Sequence, residues 1–140
     1  MDNENNLTEA REHSMGETEQ GWIDQARYDL ETARAMLASG RYLYVLFCCQ
    51  QAVEKALKAV IVRRTGVLPP RVHNLLRLTE AAGAGLDREQ ARFLGELSAY
   101  YIQTRYPEGI KTAGSTITQG LAEEVLDKTE QSVTWVLSMP

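Results

Sequence analysis

Apolar residues recur at steps of three and four along most of this chain, and that period restricts it to packed α-helices. Over residues 22–37 the spacing produces one apolar stripe, which ends at Gly40. The same period predicts a longer helix over residues 41–64, which Gly66 and a following Pro-Pro pair bring to an end. No segment alternates apolar and polar residues as a half-buried strand does. The sequence therefore predicts an all-α fold.

Three more helices are predicted downstream. One begins near His73 and carries buried leucines until Gly83. Asp87 caps the next, because Gln90 three residues later completes a variant of the capping box. A last amphipathic helix is expected from about Ser115. About five helices joined by short connections predict an up-and-down antiparallel helical bundle.

Charge divides the chain into a tail and a body. The net charge is −4, but residues 1–20 hold six acids and one base, so the remaining 120 residues sum to +1. Residues 1–18 also lack an apolar period, and we expect them to form a flexible acidic tail before a folded domain at 19–140. Met15 is an alternative start that would remove most of this tail.

Hydrophobicity and cysteine content indicate the compartment. No apolar run approaches the roughly 18 residues of a membrane span, and the N-terminus has no secretory signal pattern. The two cysteines, Cys48 and Cys49, are neighbours on a helix, which is poor geometry for a disulfide and too few ligands for zinc. We expect buried thiols in a cytoplasmic protein, with no metal or cofactor.

The second predicted helix carries the most informative pattern. Gln51, Glu54, Lys55 and Lys58 fall at i, i+3, i+4 and i+7, a polar ridge on one face. This ridge is either a solvated face with a Glu54–Lys58 ion pair or a polar network that serves a binding surface. Residues 44–49 upstream are apolar nearly all round, so this half of the helix is buried either centrally in the bundle or against a second subunit.

At this point the chain resembles the HEPN (higher eukaryotes and prokaryotes nucleotide-binding) domain family. The resemblance rests on four segments that occur in the family's order between about residues 20 and 137. They are Ala26-Arg27-Tyr28-Asp29-Leu30, the string Gln50 to Ala59, His73-Asn74-Leu75, and Thr104-Arg105-Tyr106-Pro107.

The resemblance implies a helical bundle that often forms a homodimer and often pairs with a small nucleotidyltransferase. Family members include ribonucleases of toxin–antitoxin systems, non-catalytic relatives and nucleotide-binding modules. Membership therefore does not by itself define an activity.

The ribonuclease branch uses an arginine followed four to six residues later by a histidine, which supply a phosphate contact and a proton-transfer group. Of the two histidines, His13 follows Arg11 by two residues and His73 follows Arg71 by two, and no histidine follows Arg105. We therefore predict a non-catalytic HEPN module that dimerises, binds a nucleotidyltransferase-type partner and binds nucleotide or RNA. The alternatives are a ribonuclease toxin with a displaced site, using His73 and Arg105, and an interaction domain without a ligand.

The late segment and the single histidine of the body complete the candidate site. His73 is expected at a helix start, in a capping or core role. Arg105 and Tyr106 are expected in a loop, where Arg105 either clamps Glu54 and leaves Lys55 and Lys58 free for an anion or itself contacts a phosphate. The candidate ligand-binding residues are Gln51, Glu54, Lys55, Lys58, His73, Arg105 and Tyr106, and no catalytic or metal-binding residue is predicted.

Overall fold

The computed structural model describes residues 18–105 and 117–140, with the side chains of all but 103–105. Within these residues the chain forms five helices and no strand, as predicted. The helices are α1 (Glu19–Ala38), α2 (Tyr42–Thr65), α3 (Leu75–Ala82), α4 (Arg88–Arg105) and α5 (Gln119–Leu137).

Helix α2 is the centre of the bundle, and each of the other four helices packs against it. Val45, Leu46, Cys49 and Val53 have no exposed surface, and Cys48 is also buried. The apolar girth of this helix is therefore largely explained by the chain's own bundle, since α1, α3, α4 and α5 cover it. Tyr44 is the exception and points outward, half-exposed.

Local capping chemistry sets most helix ends. The Asp87 backbone N–H donates to Gln90 Oε1 and the Gln90 N–H donates to Asp87 Oδ1, so the predicted capping box is confirmed. Gly66 and Gly83 follow α2 and α3 with positive φ angles, a conformation that glycine adopts without steric cost. The last helix begins at Gln119, later than predicted, because extended Thr118 caps it through Oγ1.

The thiols are buried, as the sequence predicts. Cys48 and Cys49 are free cysteines in the core. Burial raises the pKa of Cys48 to about 11 and that of Cys49 to about 12, so both stay protonated at neutral pH. None of the described helices is long and apolar enough to cross a membrane. The predicted tail at 1–18 lies outside the described residues except for Thr18.

Candidate functional site

The polar ridge of α2 is not a solvated face, because its central carboxylate turns into the bundle. Glu54 is 1% exposed. Its Oε1 accepts from His73 Nδ1 at 2.8 Å and from Gln50 Nε2 at 3.3 Å, and its Oε2 accepts from Lys58 Nζ at 3.2 Å. Lys55 Nζ lies 3.6 Å from the same Oε2. We call Gln50, Glu54, Lys55, Lys58 and His73 the Glu54 cluster.

Charge within the cluster keeps Glu54 ionised. Burial alone would raise the pKa of the Glu54 carboxyl, but the His73 hydrogen bond and the charges of Lys58 and Lys55 outweigh it. The pKa of Glu54 therefore lies below its ordinary value. An ionised carboxylate only accepts hydrogen bonds, so the proton shared with His73 belongs to Nδ1 of the ring.

Lys58 is not left free, which corrects one expectation from the sequence. Its side chain is buried, its ammonium bonds Glu54, and Nζ lies 5.2 Å from the centre of the Trp22 ring. Lys55 is less committed, since its side chain is 16% exposed and donates to Gln51 Oε1 at 2.9 Å. Of the two lysines, Lys55 is the more exposed.

His73 does not cap a helix or enter the core, which corrects a second expectation. The residue after it, Asn74, caps α3 by accepting from the N–H groups of Leu76 and Arg77. The His73 ring turns back to Glu54, while its carbonyl accepts from Gln50 Nε2 at 2.9 Å. Its side chain remains 45% exposed. The ring is thus held by α2 and still open to solvent.

Three rings form a row beside the cluster. The His73 ring lies 4.9 Å from that of Tyr101 on α4, and Tyr101 stacks on Phe47 at 5.9 Å with the planes 13° apart. Tyr44 is 49% exposed and shares a helical stripe with Phe47. Tyr28 on α1 is 69% exposed and lines a small hollow with Asp29 and Lys55. We call Tyr28, Tyr44, Phe47, His73 and Tyr101 the aromatic face.

Asp29 adds a second acid at the edge of this face. Burial raises the pKa of its carboxyl, Lys55 lowers it, and Glu54 raises it, with burial the largest influence and a net upward shift. Lys55 therefore stands between two carboxylates. The charges of the α2 ridge are largely balanced within the protein.

The structure brings together five of the seven predicted site residues, and they lie in or beside one cluster: Gln51, Glu54, Lys55, Lys58 and His73. The sequence placed Arg105 in a loop, but its backbone is the last residue of α4. The side chain of Arg105 and the whole of Tyr106 lie outside the described residues, so their roles stay predictions.

Sequence reasoning did not single out Gln50, Asp29, Phe47 and Tyr101 as site residues. Gln50 offered a signal, because it stands four residues before Glu54 and next to Gln51 in an otherwise apolar stretch. Tyr101 offered none, because only the packing of α4 brings it to α2.

The cluster resembles half of a general acid–base site. Glu54 orients the imidazole through Nδ1, and Nε2 has no hydrogen-bond partner among the described residues. In that same part of the chain, no group of three His, Cys, Asp or Glu side chains is arranged to hold a metal ion.

The domain is thus an all-α bundle built round one central helix. The Gln-Glu-Lys-Lys ridge of that helix is joined to a histidine. The model of the HEPN domain family matches residues 19–139. The chain therefore belongs to the HEPN domain family.

Two solved structures are similar. TT1696 from Thermus thermophilus is 29% identical, with a TM-score of 0.73 over 84% of this chain and 94% of that one. ST0689, an archaeal HEPN homologue, is 28% identical, with a TM-score of 0.64 over 85% of this chain and 94% of that one. No curated protein matches the sequence.

Proposed function

We propose that this chain is a non-catalytic HEPN module that dimerises, docks a small nucleotidyltransferase-type protein and binds nucleotide or RNA at the aromatic face. One observation carries the proposal. The aromatic face shares His73 with the Glu54 cluster, and two of its tyrosines, Tyr28 and Tyr44, are about half or more exposed. Tyrosines of this kind are enriched in interfaces, where the ring is buried and the hydroxyl keeps a polar partner.

The sequence supports the non-catalytic part. The ribonuclease motif needs an arginine and a histidine four to six residues apart, and neither histidine of the chain has that spacing.

The free, buried thiols of Cys48 and Cys49 suit a reducing, cytoplasmic compartment.

The protein–protein part is tested by light scattering at tens of micromolar. Tyr44→Glu places a charge on the aromatic face, and we expect it to convert a dimer to a monomer. Leu68→Glu is the matched control, since Leu68 is similarly exposed but lies in the loop after α2. A monomeric wild-type protein, or equal effects of the two variants, would contradict this interface. Co-purification with a nucleotidyltransferase encoded beside the chain tests the partner.

The ligand part depends on the rings of His73 and Tyr101, which offer a stacking surface, and on the ammonium of Lys55 nearby. We expect His73→Ala and Lys55→Ala each to weaken binding of a short single-stranded RNA by roughly tenfold, about 1.4 kcal/mol. Arg41→Ala, an exposed cation before α2, is the control for general charge. Binding that falls equally in all three variants would mean unspecific attraction.

The second candidate function is a ribonuclease with a displaced site. The Glu54–His73 hydrogen bond favours it, because a carboxylate-oriented imidazole whose other nitrogen has no partner among the described residues can move a proton. An RNA cleavage assay decides between the two functions. We expect no cleavage by the wild-type protein, whereas cleavage abolished by His73→Ala would establish the ribonuclease.

A further inference from the structure

A second concave surface lies apart from the aromatic face and shares no residue with it or with the Glu54 cluster. It is a cleft of about 630 Å³ between the first half of α4 and the second half of α5. Its lining spans residues 87–96 on one side and 124–135 on the other. At 1.5 Å per residue these stretches run for about 14–17 Å, or roughly three helical turns.

The cleft has an aromatic floor. Phe93 of α4 and Trp135 of α5 are partly buried and pack against the core with one side. Lys128 Nζ lies 6.0 Å from the centre of the Phe93 ring and 3.1 Å from Glu124 Oε1. The cleft therefore already holds an ammonium group between the Phe93 ring and a carboxylate.

The rim of the cleft is acidic. Four carboxylates line it, from Asp87, Glu89, Glu96 and Glu124, against two cations, Arg92 and Lys128. Two of these acids are paired with the two cations, at 3.7 Å for Arg92–Glu96 and 3.1 Å for Lys128–Glu124. A net charge of −2 is left, although residues 21–140 together carry +1. The excess of negative charge is therefore local to the cleft and is not a property of residues 21–140 as a whole.

We propose that this cleft docks a basic amphipathic helix of a partner protein, with apolar side chains on Phe93 and Trp135 and lysine or arginine side chains at the acidic rim. The length of the cleft suits about three turns of helix, the aromatic floor suits an apolar stripe, and the rim charge suits cations. The chain's own residues 1–17 have the wrong charge for this place, with five acids and one base. Nucleic acid is also negatively charged, so the acidic rim disfavours it as an occupant.

The experiment uses the full chain, labelled with ¹⁵N, and a synthetic amphipathic helical peptide of leucine and lysine about four turns long. The chain has two tryptophans, so two indole N–H signals report on separate places. Trp135 lines the cleft, and Trp22 lies against Lys58 and serves as the internal reference. We expect the Trp135 signal to shift on titration while the Trp22 signal stays. A peptide with every lysine replaced by glutamate should leave both in place.

Charge reversal provides the matched comparison. Glu89→Lys with Glu96→Lys changes the rim, whereas Glu31→Lys with Glu80→Lys makes the same change of net charge at exposed positions on α1 and α3. We expect the rim pair to weaken peptide binding by roughly tenfold or more and the control pair by less than about threefold. Circular dichroism checks that all variants keep their helical content.

Three results would overturn the proposal. Equal weakening by both pairs would show attraction to net charge alone. A Trp22 shift without a Trp135 shift would place the peptide elsewhere. A rim pair that changed the oligomeric state of the protein without peptide would make a second copy the occupant. The first two outcomes do not bear on the aromatic face, whereas the third would place the contact between copies at the cleft and count against the dimer interface proposed at Tyr44.

Discussion

At the scale of single residues, the central fact is a carboxylate buried with two lysines nearby. Desolvating an ion costs several kcal/mol, and only excellent geometry offsets it. Glu54 has that geometry, since both of its oxygens accept hydrogen bonds and Lys58 is held between Glu54 and the Trp22 ring. Glu54 and Lys58 therefore have a structural role, and the proposed ligand contacts are assigned to Lys55 and His73.

Glu54→Gln should lower the free energy of unfolding at neutral pH by about 3–5 kcal/mol, because Lys58 loses its counter-charge. The folded pKa of Glu54 lies below its unfolded value, so its stabilisation is present above the unfolded pKa, about 4.3, and is lost as pH falls through the folded pKa. Urea unfolding at a series of pH values should show the two proteins converging in acid. Glu31→Gln, on the surface of α1, is the control. If the free energies of unfolding of Glu54→Gln and the wild type differed by the same amount at every pH, the lowered pKa of Glu54 would be contradicted.

Asp29→Asn should raise the free energy of unfolding at neutral pH, the opposite of the change expected for Glu54→Gln. The pKa of Asp29 is raised in the fold, so folding disfavours its ionised form above the unfolded pKa. We expect the asparagine variant to be more stable than the wild type at neutral pH, with the gain vanishing below the unfolded pKa. The same urea series measures it, and a loss of stability at neutral pH would mean that Asp29 has a strong partner.

Lys58→Ala should destabilise the protein more than Arg105→Ala. The reverse order would follow if Arg105 clamped Glu54, which is one of the two roles that the sequence left open for it. Lys58 is buried and its ammonium bonds Glu54, so Lys58→Ala leaves the buried carboxylate short of a counter-charge. Thermal midpoints of the two variants, with Arg77→Ala as an exposed reference, decide the order.

At the scale of elements, α3 is the helix that most depends on its ends. It has eight residues, too few for stability by propensity. Asn74 caps its start, Ser98 Oγ accepts from the Leu75 N–H at 3.0 Å, and Arg64 Nη1 donates to the carbonyls of Ala82 and Gly83 at its end. The segment before it carries His73, so these contacts also position the His73 ring.

Asn74→Ala should cost about 1 kcal/mol of stability, since two N–H groups at the start of α3 lose their acceptor. Asn74→Asp keeps the acceptor oxygen and should stay within a few tenths of the wild type. Chemical denaturation compares the three proteins. Equal losses in the two variants would show that the capping oxygen is not what holds this helix end.

At the scale of the whole molecule, the described residues form two separate surfaces. The aromatic face lies along α2 with contributions from α1 and α4, and the acidic cleft lies between α4 and α5. The role of the chain before α1 can be tested by truncation, because Thr18 marks where the helix begins.

Removing residues 1–16 should change the thermal midpoint by less than about 2 °C, since they are acidic and carry no apolar period. Removing Glu17 and Thr18 as well should lower it by several degrees, because Thr18 Oγ1 accepts from the Gly21 N–H at 3.0 Å and caps α1. Differential scanning calorimetry measures both. A large drop with the first truncation would mean that the tail packs against the body.

The class of fold, most element ends and the membership of the polar ridge could all be predicted from the amino-acid sequence. These features depend on local physics: the 3.6-residue period, the freedom of Gly66 and Gly83 to take positive φ, and the Asp87–Gln90 capping box. Residues at i, i+3, i+4 and i+7 share a face whatever surrounds the helix. This is why the spacing of Gln51, Glu54, Lys55 and Lys58 was enough to group them.

What that face meets could not be predicted, because it depends on the packing of the whole bundle. A helical wheel does not say whether a polar stripe points to solvent or to a neighbouring segment, so the burial of Glu54 and Lys58 followed from the packing around α2. Besides its neighbours on α2, Glu54 proved to bond His73, 19 residues away, and the ring row joined Phe47 to Tyr101 across two helices. Such contacts depend on how helices cross, and the crossing is set by the whole core and not by any local run of residues.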